Sequence, residues 1–160
     1  SAVQNGSPPI SGGHAGQFYG GPWETFGMGQ SEFSTWLGAP VSAEPSPPKG
    51  IINLDNNSVS GDQSGTFAYH GGDGEGFLYV DGDLTINGTF NCKGVIYVEG
   101  ALKINGTTWI LGALVCRGKT TVKLANGNAC VLYSSEAIQT SLAKYGGQFV
   151  TLSWRQVPLN

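Results

Sequence analysis

From Val80 the chain can be written in sixes, VDGDLT, INGTFN, CKGVIY, VEGALK, INGTTW, ILGALV and CRGKTT, with glycine third in every unit. The first position is always apolar (Val80, Ile86, Cys92, Val98, Ile104, Ile110, Cys116), while the second is Asp81, Asn87, Lys93, Glu99, Asn105, Leu111 and Arg117. Alternation of this kind is the signature of a strand with one face turned inward. A single strand of this length does not occur in a globular domain, where strands run about 5 to 6 residues, so the chain must turn at short intervals. Glycine permits the turns.

The match is closer at three units. GFLYVDGDLTING from Gly76, GVIYVEGALKING from Gly94 and GALVCRGKTT from Gly112 start 18 residues apart. Three six-residue sides make one triangular coil, and each strand then pairs with its equivalent in the next coil at about 4.8 Å. The expected fold is therefore all-β, a three-sided parallel β-solenoid with about 18 residues per coil, right-handed by the general crossover preference. The expected inward stacks are Leu78, Ile96, Leu114 and Leu132, and Ile86, Ile104 and Val122.

The sides differ in what they turn outward. One shows Phe77 and Tyr79, Val95 and Tyr97, Ala113 and Val115, Val131 and Tyr133, and so is apolar on both faces. The second shows Asp83, Thr85, Ala101, Lys103, Lys119 and Thr121. The third shows Thr89, Asn91 and Thr107, but also Trp109. An apolar stripe of that size needs a cover, and residues 1–50 supply Phe18, Tyr19, Trp23, Phe26, Phe33, Trp36 and Leu37 among glycines and prolines. They are expected to pack there as an irregular cover, with a short helix near SEFSTWLG. After the coils of 51–133, SSEAIQTSLAKYGG reads as a capping helix with Ser134 or Ser135 at its N-cap, Glu136 in the first turn and Gly146 at its stop. QFVTLSW follows as a final strand. Between Pro48 and Gly76, INL and TFAY are possible short strands, and GSPP, PSPP and GGDGEG mark loops there and further upstream. At 160 residues the chain is expected to form one domain.

Composition narrows the function. Charged residues are only 12% of the chain and the net charge is −3, with the basic residues dispersed, so a nucleic-acid partner is not expected. No apolar run approaches the roughly 18 residues that cross a bilayer, so the chain reads as soluble, with anything before Ser1 removed or never there. Cys92, Cys116 and Cys130 form neither a CxxC pair nor an even set, which disfavours zinc and disulfides alike. Cys92 and Cys116 fill slots used elsewhere by Val and Ile, as buried free thiols.

Chemical motifs fare poorly. Hexapeptide acyltransferases carry a small fifth residue, where this chain has Leu84, Phe90, Ile96, Leu102 and Leu114, and neither His14 nor His70 lies in the hexads to serve as a base. Asp81 stacks beneath Glu99 and near Asp83, but these are expected as corner residues rather than a lyase, hydrolase or calcium site. HGGDGEG at 70–76 partly echoes a calcium-binding nonapeptide but occurs once and reads as a loop. The NGT sequons at Asn87 and Asn105 repeat because the corner repeats. No catalytic, cofactor-binding or metal-ligating residue is assigned, and no enzymatic activity is expected.

The run GFLYVDGDLTINGTFNCKGVIYVEGALKING, followed by ILGALV, VLYSSEAI and the closing VTLSWRQV, resembles the C-terminal soluble region of PilX-type type IV pilus assembly proteins. The resemblance covers residues 76–156, about half the chain. It implies a β-solenoid with no chemistry of its own, a minor-pilin-like part in pilus assembly or tip display, and a place in the cell envelope beyond the inner membrane. It also implies other pilus subunits as partners, with a surface or glycan ligand as a further one. In that family a membrane helix precedes the region, and here it is lacking, so membership implies a truncated or processed piece. Bactofilins, the bacterial filament formers, are similar in the repeat alone. A cytoplasmic self-polymerising solenoid is thus one alternative, and a carbohydrate-binding or carbohydrate-acting solenoid is another, for which Trp109 is the candidate contact.

Overall fold

The computed structural model describes residues 21–57, 59, 61–122 and 128–146. It is a parallel β-solenoid of about four coils. Its strands are β1 Lys49–Leu54, β2 Gly65–Tyr69, β3 Gly72–Val80, β4 Gly82–Val98, β5 Leu102–Cys116, β6 Thr120–Val122 and β7 Ala129–Tyr133. Helices α1 Pro22–Thr25 and α2 Gln30–Leu37 precede them, and α3 Ser135–Gly146 follows.

Register follows the repeat through the middle coils. Leu78 pairs with Ile96, Tyr79 with Tyr97, Ile86 with Ile104 and Ile96 with Leu114. Ile104 pairs with Val122. Strands of 17 and 15 residues arise because hydrogen bonding continues unbroken around two corners of each coil. At one of those corners Gly76, Gly94 and Gly112 stack with φ of 122°, 126° and 141°. A Cβ on Gly94 would overlap the carbonyl oxygen of Gly76, and one on Gly112 that of Gly94, so close approach and backbone conformation both demand glycine. In the middle coils the strands break instead at the third corner, between Val80 and Gly82, Val98 and Leu102, and Cys116 and Thr120.

The end coils depart from the period. β1 pairs with β3 at an offset of 26 residues, as in Ile52 with Leu78, because ten residues of sequence separate the end of β1 from the start of β2. β7 pairs with β5 at an offset of 21, not 18, so Leu132 lies beside Leu111 and Val131 beside the inward Ile110. The expected stack of Leu132 under Leu114 is therefore wrong, and Val131 and Tyr133 do not continue the outward apolar column. Three extra residues between Val122 and Ala129 shift the register, and a shift by an odd number exchanges the two faces of a strand. INL and TFAY do fall in β1 and β2. GGDGEG, read as a loop, lies largely in β3, where Gly72 to Gly76 pair with Phe90 to Gly94. Backbone pairing on a neighbouring strand supplies there the order that glycine's side chain cannot.

The interior is a column of fully buried Leu54, Val80, Leu84, Ile86, Phe90, Ile96, Val98, Leu102, Ile104 and Ile110. A second cluster lies outside the coils, where Phe77, Tyr79, Val95 and Tyr97 meet Phe26, Phe33, Leu37 and Leu142. The cover expected over this side is thus present. Phe33 and Phe26 meet Phe77 edge-on at centroid distances of 6.1 and 5.1 Å, geometry that adds to simple area burial. Phe18 and Tyr19 lie outside the described residues.

Helix α3 starts where the sequence placed it, with the Ala137 amide donating to Ser134 Oγ at 3.1 Å. It buries Ala137, Ser141 and Leu142, and the Ser141 hydroxyl donates to the Lys93 carbonyl at 3.1 Å. The helix therefore lies along the flank of the coils beside α2. The edge of the first coil is met by other groups: Val41 bonds Asn53 and Asp55 through the backbone, and the Ala68 amide donates to Glu44 Oε1 at 2.7 Å. QFVTLSW lies outside the described residues.

Candidate functional site

Two constellations of polar side chains emerge from the stacking. The first fills the corner that interrupts the strands. Asp55, Asp81 and Glu99 follow one another up this corner and are all buried, with Arg117 above them. Asp81 accepts from the amides of Gly61 and Gln63, the latter at 2.9 Å, which pins the loop of the first coil. Glu99 accepts from Tyr79 Oη at 3.2 Å and pairs with Arg117 at 2.7 Å. Asp83, one rung of glycine away, accepts from the Ala101 amide at 2.6 Å.

The expectation that Asp81 stacks beneath Glu99 as a structural corner residue agrees with these contacts. Each carboxylate already accepts from backbone, hydroxyl or guanidinium groups, which is how a buried charge is tolerated. Among the described residues no group of three or more His, Cys, Asp or Glu is placed to hold a metal ion. His70 sits at the turn between β2 and β3, and His14 lies outside the described residues. Asn105 Nδ2 donates to Asn87 Oδ1 at 3.0 Å, so the two sequon asparagines form a ladder along the axis.

The second constellation is on the third side. Here outward residues form two parallel columns, Asp73, Asn91, Trp109 and Cys130 in one, and Glu75, Lys93, Leu111 and Leu132 in the other. Between them is a hollow of about 220 Å³ lined by Asp73, Asn91, Lys93, Trp109, Leu111 and Leu132, with Gly74, Cys92 and Ile110 at its floor. Asn91 Nδ2 donates to Asp73 Oδ1 at 2.8 Å. Trp109 is 48% exposed, and Leu111 and Leu132 are similarly open. Residues 52–128 match the family model of a domain of unknown function, DUF8470. The match runs from inside β1 to the residue before β7, so it spans the coils and the greater part of this hollow but not the covering helices. No curated protein and no solved structure matches the chain.

Electrostatics around the hollow are set by its neighbours. Lys144 donates to Glu75 Oε2 at 2.6 Å and Tyr145 Oη donates to the same oxygen at 3.1 Å, which holds the Glu75 carboxyl below its ordinary range, the Lys144 hydrogen bond being the main cause. Burial, aided by Glu75, pushes the Cys92 thiol up to about 12, so it stays protonated and unreactive at neutral pH. Cys92 is buried, Cys116 and Cys130 are half-buried, and all three are free thiols. Trp109 is the residue of the hollow that sequence reading singled out. Asp73 and Lys93 were missed as its companions, although Asp73, Asn91 and Trp109 are spaced by 18 and could have been read off the repeat.

Proposed function

We propose that this chain is a non-enzymatic structural and adhesive domain of a type IV pilus-associated, minor-pilin-like protein, acting in pilus assembly or in display at the tip. It works in the cell envelope beyond the inner membrane, with other pilus subunits as partners. The pilus assignment is supported by the resemblance of residues 76–156. The structural role is supported by one observation above all: polar groups on the coils bond to their own equivalents one coil away. Asn105 bonds Asn87, Asn91 bonds Asp73, and Arg117 pairs with Glu99. A ladder of this kind stiffens a rod and occupies groups that catalysis would have to leave poised.

Deleting the gene is expected to reduce surface pili, with recovery on complementation, and cross-linking should join this domain to pilus subunits. Undiminished pili with no such cross-link would end the reading. A bactofilin-like polymer is the second reading, and the last coil favours it, since among the described residues Val122, Val131, Leu132 and Tyr133 are exposed there, Tyr133 at 66%. Filaments of the purified chain under the electron microscope would decide for that alternative.

A further inference from the structure

We propose that the hollow beside Trp109 is a carbohydrate-binding subsite that takes one pyranose ring of a surface glycan. The inference rests on the adhesive half of the reading above and gives it a place and a ligand class. A pyranose has an apolar C–H face and a rim of hydroxyls, so its receptor needs a flat apolar wall together with fixed acceptors and donors. The half-exposed indole of Trp109 is such a wall, an amphipathic ring with little rotamer freedom to lose. In the same column Asp73 and Asn91 present a carboxylate and an amide already held by their mutual bond of 2.8 Å. Across the hollow, Lys93 brings an exposed ammonium as donor. Groups fixed before the ligand arrives cost less to order on binding.

Size and surroundings exclude other occupants. Usual small-molecule sites measure about 300–1,000 Å³, and 220 Å³ admits a single ring whose neighbours run on over the surface. β4 and β5 under the hollow are paired on both sides and offer an extended peptide no edge to join; among the described residues β7 pairs only with β5, and a peptide added to its other edge would run beside the hollow rather than in it. An apolar side chain from a partner protein would desolvate Asp73 and Lys93 without replacing their water. A sugar hydroxyl replaces it directly. Affinity for one ring should be on the order of 1 mM, with many copies along a pilus raising the avidity.

The test begins with the purified chain on a printed array of bacterial and host oligosaccharides, followed by calorimetric titration with the methyl glycoside of any hit. Binding is expected, with at least a tenfold loss for Trp109→Ala, partial retention for Trp109→Phe, a several-fold loss for Asp73→Ala, and no change for Lys103→Ala on another side. Circular dichroism checks each variant. Should Trp109→Ala misfold, Asp73→Ala and Asn91→Ala at exposed positions, together with the shift of the Trp109 indole N–H signal on titration, carry the test. An array with no hit, a hit whose binding survives these substitutions in folded protein, or a hollow that takes apolar peptides instead of sugars overturns the proposal. Pili are counted in the Trp109→Ala strain as well: normal pili without glycan binding support the subsite. A deletion strain with undiminished pili, alongside intact glycan binding by the chain, would remove the pilus reading and leave the subsite standing.

Discussion

The first and third sides of the solenoid are built from the same hexads yet end in opposite states. On the first, Phe77, Tyr79, Val95 and Tyr97 point outward and are buried under α2 and Leu142 of α3. On the third, Asn91, Trp109, Leu111 and Leu132 point outward and stay open. Both are strands with an apolar inner face, and they differ in whether the outer face carries columns of aromatics or mixes one tryptophan with amide, carboxylate and ammonium. A contiguous apolar outer face draws the rest of the chain onto itself. A mixed one does not, and remains available to a ligand.

The comparison can be broken most severely at what both sides share. Ile96 is fully buried in the common column, so Ile96→Asp would place a charge with no partner in the interior. Soluble expression should be lost, and a normally folded Ile96→Asp protein would contradict the inward assignment. Phe33→Ala, which opens the cover of the first side only, should cost about 3–5 kcal/mol in denaturant unfolding and raise binding of an apolar dye. Trp109→Ala on the open side should cost about 1 kcal/mol or less, and equal losses for the two would erase the distinction. Gly94→Ala tests the corner at which the third side passes into the first. Overlap with the Gly76 carbonyl together with a φ of 126° predicts a loss of about 2–4 kcal/mol.

Two smaller effects sharpen the picture. Cys92 has its thiol raised to about 12 and is buried, so iodoacetamide at neutral pH should label Cys116 and Cys130 in the folded protein and Cys92 only after denaturation, as read by peptide mass. Early labelling of Cys92 would place it elsewhere. The weakest effect belongs to Lys144 and Glu75, a pair that ties α3 to the coils near the open side. Because the folded carboxyl titrates below its unfolded value, its contribution is present above the ordinary glutamate range and lost as pH falls through the depressed value. Lys144→Ala should therefore lower the melting midpoint slightly at pH 7 and not at all well below about pH 4. A difference that persisted in acid would mean that the lysine acts through packing.

Much of this was legible in the residues, and the exceptions have separate causes. Glycine every sixth residue gave the corners, and the 18-residue period gave the pairs Tyr79 with Tyr97 and Ile86 with Ile104. Aromatics at Phe26, Phe33 and Trp36 announced the cover. Where the period fails the reading fails with it: the period sets Leu132 beneath Leu114, but three added residues put it beside Leu111. GGDGEG keeps the period and pairs with β4, yet its glycines read as a loop because they carry no alternating side chains. Of the candidate site, Trp109 stood out as a lone aromatic on a polar side. Its companions Asp73 and Lys93 did not, because a carboxylate and an ammonium in a repeat look like ordinary solvated strand residues until a hollow is found between them.

The sequence by itself determined the all-β solenoid, its period, its inward column and the side that had to be covered, because alternation and periodicity are local properties that any stretch of the chain reports about itself. Only the tertiary structure decided that α3 lies along the flank, that the last coil shifts register, and that Asp73, Asn91, Lys93 and Trp109 meet around one hollow. Those outcomes depend on which surfaces touch across 18 to about 70 residues of chain, and packing between distant segments is settled by shape and burial that no local pattern encodes.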